Sequence, residues 1–319
     1  MKTSAVTIDD LQNSVVSVPP LCRNADLSLN IEQNKKLIKH LENGGVSTFM
    51  YGGNANFYHV SMTEYPEILD MLSDSVAENS WVIPAVGPDY GKLMDQAKIL
   101  ASREFPTAMV LPQVFPKSPT GVEEGLRRFA DAYGKPIIAY VKIDGYLEPE
   151  QIARLVDDKV VCAVKYARVL EDSNHPIDDS YLTELCQLID SNLIISGIGE
   201  RPVLTHWNDF GLRSFTSGSI CVAPHVSTEI LRSLQSGDLE KATKLRELFI
   251  PLEDMRDQYS PLCVLHRSVG MAEIAKTGPL TPMLSDVVEG DSWKQLETVS
   301  KILLRENSEM HSAHLANQS

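Results

Sequence analysis

Short apolar runs alternate with amphipathic stretches along roughly the first 235 residues of this chain. The runs are Val15 to Val18, Ser47 to Tyr51, Trp81 to Ala85, Ala108 to Leu111, Ile137 to Tyr140, Val160 to Lys165, Leu193 to Ser196 and Ser214 to Thr216. Short runs of this kind, rich in β-branched and aromatic residues and bounded by turn residues, read as buried strands. Helical spacing fills the intervals at Ile31 to Glu42, Thr63 to Ser73, Tyr90 to Ala101, Val122 to Ala132 and Asp179 to Ile189. Successive strands begin roughly 25–35 residues apart, the length of one βα unit. Eight such units favour an α/β fold of the closed (β/α)8 TIM barrel type. The competing arrangement is an open doubly wound sheet. It calls for a glycine-rich phosphate turn after the first strand, where this chain has Pro19-Pro20-Leu21. No GxGxxG or P-loop pattern occurs elsewhere.

After Pro224 the pattern becomes purely helical. Leu239, Ala242, Leu245, Leu248 and Phe249 fall on one face of a single expected helix, with Gly237 breaking the chain before it and Asp238 placed to cap it. Further helices are expected from Leu262 to Lys276 and from Ser292 to Leu304, joined through the rigid connector Gly278 to Pro282. The expected division is a barrel over 1–236 and a C-terminal helical extension over 237–319. Met1 to Asn13 and Glu306 to Ser319 read as frayed ends.

Composition narrows the partners. A net charge of −14 argues against a nucleic-acid or anionic-membrane surface, which requires basic patches. It leaves open a small anionic substrate, which needs only a local positive field. No apolar run approaches the ~20 residues of a membrane span, and Met1 to Asp10 lacks the apolar centre of a secretory signal. The five cysteines are dispersed without metal spacing, so free thiols in a reducing, cytoplasmic setting are expected. The eight histidines show no metal spacing either, and His311 and His314 lie in the tail. No metal or organic cofactor is expected.

The candidate chemistry sits at strand ends. Lys165 closes the run Val160 to Val164. One reading is a side chain that snorkels to solvent. The other is a buried amine, kept neutral by desolvation and able to form a Schiff base with a carbonyl substrate. Alternation puts Val161, Ala163 and Lys165 on one inward face, and barrel enzymes work at the C-terminal strand ends. Tyr140 ends the preceding run, either as a core tyrosine or as a proton relay beside the imine. After the second strand, Gly52-Gly53-Asn54-Ala55-Asn56 is either a simple turn or a nest of N–H groups, with positive φ at the glycines, that receives a carboxylate. Thr216 and Ser217, in Phe215-Thr216-Ser217-Gly218, either line the pocket or end the last strand.

Pro136-Ile137-Ile138-Ala139-Tyr140 resembles the strand-five tyrosine motif of the dihydrodipicolinate synthase and N-acetylneuraminate lyase superfamily. Val164-Lys165-Tyr166-Ala167 resembles its strand-six lysine motif, and Ser196-Gly197 and Gly237-Asp238 fit as well. The resemblance runs from about Val15 to Leu304. It implies a class I aldolase-type barrel that forms a Schiff base with pyruvate or a related 2-oxo acid, and a homo-oligomer, dimer or tetramer. It further implies Lys165 as nucleophile, Tyr140 as orienting and relaying group, and Gly53, Asn54 and Ala55 in the carboxylate-binding turn.

The chain also departs from that pattern. The family turn is Gly-Thr-Thr-Gly-Glu or Gly-Ser-Thr-Gly-Glu. Val114 stands where the synthase has a second relay tyrosine, Gly145 falls near its substrate arginine, and Cys221 replaces a frequent asparagine. The expectation is therefore a Schiff-base lyase, aldolase or dehydratase on a small 2-oxo acid, other than a true dihydrodipicolinate synthase. The alternative is a ligand-binding or regulatory barrel that has lost efficient catalysis.

Overall fold

Each apolar run becomes a strand. The computed structural model describes residues 1–168, 179–286 and 290–316. A short helix, α1 (Ile8–Gln12), precedes β1 (Val16–Ser17). Then come α2 (Ile31–Asn43), β2 (Thr48–Tyr51), α3 (Tyr65–Ser75), β3 (Trp81–Val86), α4 (Tyr90–Ala101), β4 (Met109–Val110), α5 (Pro119–Tyr133), β5 (Ile137–Val141), α6 (Pro149–Asp157), β6 (Val161–Tyr166), α7 (Ser180–Leu188), β7 (Ile194–Ser196), α8 (Val203–Asp209), β8 (Ser214–Ser217) and α9 (Pro224–Ser236). They are followed by α10 (Leu239–Glu247), α11 (Ile250–Gln258), α12 (Pro261–Met271) and α13 (Asp291–Ala316). The strands pair in chain order, all parallel, and β8 returns to β1 with Val16 opposite Thr216 and Ser17 opposite Ser217. This is the closed (β/α)8 barrel, not the open sheet.

Local chemistry sets the helix ends. Ser118 caps α5 by accepting from the Gly121 N–H, Pro119 opens its first turn, and Gly134, at φ +79°, ends it. Asp238 caps α10 through the Lys241 N–H at 3.0 Å, directly after Gly237 at φ +81°.

Three expectations need correction. The stripe from Leu239 to Phe249 does not form one helix: α10 ends at Glu247, Leu248 and Phe249 make the turn, and α11 starts afresh with Pro251 in its first turn, since a proline starts a helix more readily than it continues one. The break redirects α11 so that Glu253 and Arg256 reach the barrel mouth. The N-terminus is not frayed: Thr7 and Asp10 form a reciprocal capping box, and Leu11 is fully buried. The tail stays helical through Ala316, with Leu303 and Asn307 buried and the Asn307 side chain accepting from the His225 N–H. Residues 317–319 of the expected frayed end lie outside the described residues.

Candidate active site

The register between β5 and β6 builds the site. Ile137 pairs with Val161, but Ile138 pairs with Ala163, so Cys162 is an extra residue in β6. The bulge advances the register by one and sets Tyr140 directly opposite Lys165. Without it, Tyr140 would face Val164. The Cys162 thiol is held at the bulge, 3.5 Å from the Ile137 carbonyl and 3.5 Å from the Thr107 hydroxyl. The next requirement is space. A Cβ at Gly197 would stand 2.6 Å from the Tyr166 carbonyl oxygen, 2.8 Å from the Ala167 Cβ and 3.0 Å from the Lys165 Cγ. Gly197 thus leaves room for the lysine stem just past the end of β7, beside β6.

Lys165 and Tyr140 project into a cavity of about 310 Å³ at the C-terminal end of the barrel, which Gly52, Gly53, Asn54 and Thr216 also line. The Lys165 amine lies 4.4 Å from the centre of the Tyr140 ring. Among the described residues, neither the amine nor the Tyr140 hydroxyl has a hydrogen-bond partner, and no carboxylate pairs with the amine. Desolvation first, then the charges of Lys142 and Arg256, bring the Lys165 amine down to about 7. The Tyr140 phenol is pushed up by burial, so it remains a protonated donor.

Two sequence candidates fall elsewhere. Ala55 faces a small separate crevice with Leu21, Arg23 and His266. Ser217 is fully buried, and its hydroxyl accepts from the Ile220 N–H at 2.9 Å. It ends the strand and does not line the cavity. The turn also works differently from expectation. Gly52 and Gly53 do not adopt positive φ; the left-handed residue is Asn56, at φ +57°. Gly52 is the tighter of the two, since a Cβ there would meet the flexible end of Met109, its Cε, at 2.6 Å, whereas a Cβ at Gly53 would meet nothing within 4 Å. The turn is tied by Asn56 and Phe57 donating to the carbonyls of Gly53 and Gly52, and by the Asn54 amide donating to the Val18 carbonyl at 2.9 Å. Among the described residues, none accepts from the Gly53 or Asn54 N–H.

Further side chains complete the cavity without having been singled out in the sequence: Tyr58, Lys142, Glu253, Arg256 and Asp257. Tyr58 follows the turn, and burial raises its phenol to about 12. The buried Arg256 pairs with buried Glu253 at 2.8 Å. The Ser219 hydroxyl also donates to Glu253. Behind them Glu200 is fully buried. Desolvation and then the Glu253 charge push it well above the usual carboxylate range, and bonds from Ser217 and Ser227 partly offset this. Glu253, Arg256 and Asp257 sit on α11 and Glu200 lies past β7, the α11 residues more than 80 positions from Lys165, where no local pattern marks them. Val114 is 68% exposed and is not part of this cavity. A larger groove of about 580 Å³, lined by Pro88, Tyr90, Gln113 and Tyr146 among others, contains neither Lys165 nor Tyr140. Among the described residues, no cluster of three or more His, Cys, Asp or Glu is placed to hold a metal ion, and no helix is long and apolar enough to cross a membrane. All five cysteines are free.

Comparison with known proteins gives three kinds of match. The family model described as "Dihydrodipicolinate synthetase family" covers residues 14–298. The "Probable 5-dehydro-4-deoxyglucarate dehydratase" of Bacillus subtilis (strain 168) is 24% identical over 278 residues, 83% of this chain and 85% of that protein. Among solved structures, dihydrodipicolinate synthase from Bacillus clausii superposes with a TM-score of 0.80 at 18% identity, covering 94% of this chain and 99% of that one. A prophage protein of the dihydrodipicolinic acid synthase family from E. coli K12, in complex with pyruvate, gives 0.78 at 17% identity, covering 91% and 98%. At such identities the structural likeness establishes the fold.

Proposed function

Because the chain belongs to the dihydrodipicolinate synthetase family, we propose that it is a Schiff-base lyase, a dehydratase or aldolase, acting on pyruvate or a related small 2-oxo acid. The observation that carries this reading is the Lys165 amine: brought to about 7, without a partner among the described residues, over the Tyr140 ring in the cavity at the barrel mouth. An amine that titrates near neutrality is nucleophilic at working pH.

The neutral Lys165 amine attacks C2 of the 2-oxo acid, and the nitrogen proton is passed to the forming alkoxide. Tyr140 donates a proton to the carbinolamine hydroxyl, which leaves as water, and the iminium forms. Loss of a C3 proton converts the iminium to an enamine. From the enamine a hydroxyl at C4 takes a proton and departs as water; alternatively, in a substrate with a C4 hydroxyl, the iminium itself accepts the electrons of the breaking C3–C4 bond while that hydroxyl loses its proton and C4 leaves as an aldehyde. The iminium is the electron sink in both routes. Two features favour dehydration over aldol chemistry: the turn lacks the family hydroxyls, and the B. subtilis relative carries a dehydratase name. The pyruvate bound in one fold relative supports the 2-oxo acid class. Tyr58 puts a second phenol at the cavity wall. The reading includes self-association, because Val114 and Phe115 hold apolar side chains in solvent at 68% and 83% exposure.

Borohydride reduction in the presence of pyruvate, followed by intact mass measurement, tests the reading. Wild type should gain one reduced adduct, and Lys165→Ala should gain none. Absence of an adduct with pyruvate and with a panel of 2-oxo sugar acids would leave a ligand-binding barrel as the better account.

A further inference from the structure

Arg256 is over-built for a structural ion pair. Its Nε donates to the Pro261 carbonyl at 3.3 Å, and its Nη1 donates to Glu253 at 2.8 Å and lies 3.4 Å from the Ser219 hydroxyl. These contacts fix the plane of a guanidinium only 8% exposed. Its Nη2 has no acceptor among the described residues, and Arg256 lines the cavity. The Asn54 amide is similar: one Nδ2 hydrogen goes to the Val18 carbonyl and the other is unassigned.

Gly218 brings the two together. A Cβ at that position would stand 3.0 Å from the Arg256 Nη2, 3.0 Å from the Asn54 Nδ2 and 3.0 Å from the Leu265 Cδ2. The backbone there is ordinary right-handed, φ −84° and ψ −44°, so glycine is not required by conformation. Its missing side chain instead keeps two converging N–H donors open to the cavity. The N–H groups of Gly53 and Asn54 point from the same turn.

We infer that Arg256 and Asn54 form the carboxylate receptor of this cavity, holding the carboxylate of the 2-oxo acid so that its carbonyl faces Lys165. This rests on the reading of the cavity as a 2-oxo acid site. A fixed guanidinium edge with an amide beside it offers a carboxylate directed, charge-assisted hydrogen bonds. It supplies the polar anchoring that the hydroxyl-free turn does not. The local charge permits an anion: Glu253 is held by Arg256 and Ser219, Asp257 is met by Arg201 at 3.2 Å, and Lys142 adds a positive charge at the rim.

Oxamate tests the receptor without requiring an imine, since its amide carbonyl does not condense with an amine. Calorimetry should show oxamate binding to wild type weakened roughly 10- to 100-fold by Arg256→Met combined with Glu253→Gln, the pair chosen so that Glu253 is not left as an unpaired buried carboxylate. Gly218→Ala should weaken it without touching either charge. In the borohydride assay both variants should raise the pyruvate concentration for half-maximal trapping more than that of hydroxyacetone, which lacks the carboxylate and so registers only what the loss of the Arg256 charge does to the Lys165 amine. Unchanged oxamate affinity in both variants, or loss in Lys142→Met instead, overturns the inference. Failure of wild type to trap any carbonyl compound, with oxamate binding still dependent on Arg256, would instead count against the Schiff-base reading alone.

Discussion

Lys165 and Tyr166 are adjacent on β6, both buried, and treated in opposite ways. Lys165 points into the barrel and has no hydrogen-bond partner among the described residues. Tyr166 points outward, and its hydroxyl donates to Asp179, the residue that caps α7 through the Leu182 N–H at 3.0 Å. The outer cluster is closed on itself. The Ser196 hydroxyl meets the His206 Nδ1 at 2.7 Å, Tyr181 stacks on Tyr166 with ring centres 6.0 Å apart, and the Tyr181 hydroxyl donates to the Leu147 carbonyl at 2.7 Å. Buried polar groups that hold a fold together are paired, because leaving one unpaired costs about 1–3 kcal/mol. The inner groups are left without protein partners among the described residues and face a cavity. The difference separates polar residues that fasten the helices from those left open for a ligand.

Mutations can break this contrast. Tyr140→Phe should slow pyruvate trapping by roughly 10²–10⁴-fold with little change in melting temperature; an unchanged rate removes Tyr140 from the proton path. Trapping should also rise about tenfold per pH unit up to about pH 7 and then level, as the Lys165 amine loses its proton. A flat profile across that range would mean that the nucleophile titrates elsewhere.

Stability should respond in the opposite sense at the two neighbours. The folded-state value of Lys165 lies below the ~10.4 of an unfolded lysine. Its protonated form therefore destabilises the fold. The penalty is full below about pH 7 and fades as pH rises toward the unfolded value. Lys165→Met should accordingly melt higher than wild type at pH 6, by on the order of a few kcal/mol, and the gain should shrink by pH 9. Tyr166→Phe should do the reverse, losing about 1–3 kcal/mol by stranding Asp179, while trapping stays close to wild type. Denaturant titration of both variants settles the sign. Gly197→Ala lies between the two regions and should cost about 1–3 kcal/mol through its contacts with Tyr166 and Ala167. It should also impair trapping by pressing on the Lys165 stem; impairment of neither quantity would mean that β7 yields easily.

The alternation of apolar runs with helical stretches was sufficient for the barrel, because strand and helix periods are local properties and eight repeats have few ways to close. It also singled out Lys165 and Tyr140, since each ends a strand and strand ends in a barrel converge. The chain break at Gly237 was legible for the same reason: a residue that tolerates positive φ marks itself. Local patterns failed where the outcome depended on distant partners. The first turn forms because Thr7 meets Asp10 while Leu11 finds a core to enter, and Ser217 turned away from the cavity to bind the Ile220 N–H.

The chain order of residue types determined that an amine and a phenol would end neighbouring strands. Only the tertiary structure decided that they would stand opposite each other, because that required one extra residue at Cys162 to shift the ladder. It likewise brought Arg256 beside Asn54, across about 200 positions of sequence, because Pro251 turned α11 toward the mouth and Gly218 left the gap between them. Periodicity records what each segment buries; which buried groups meet is a property of the closed chain.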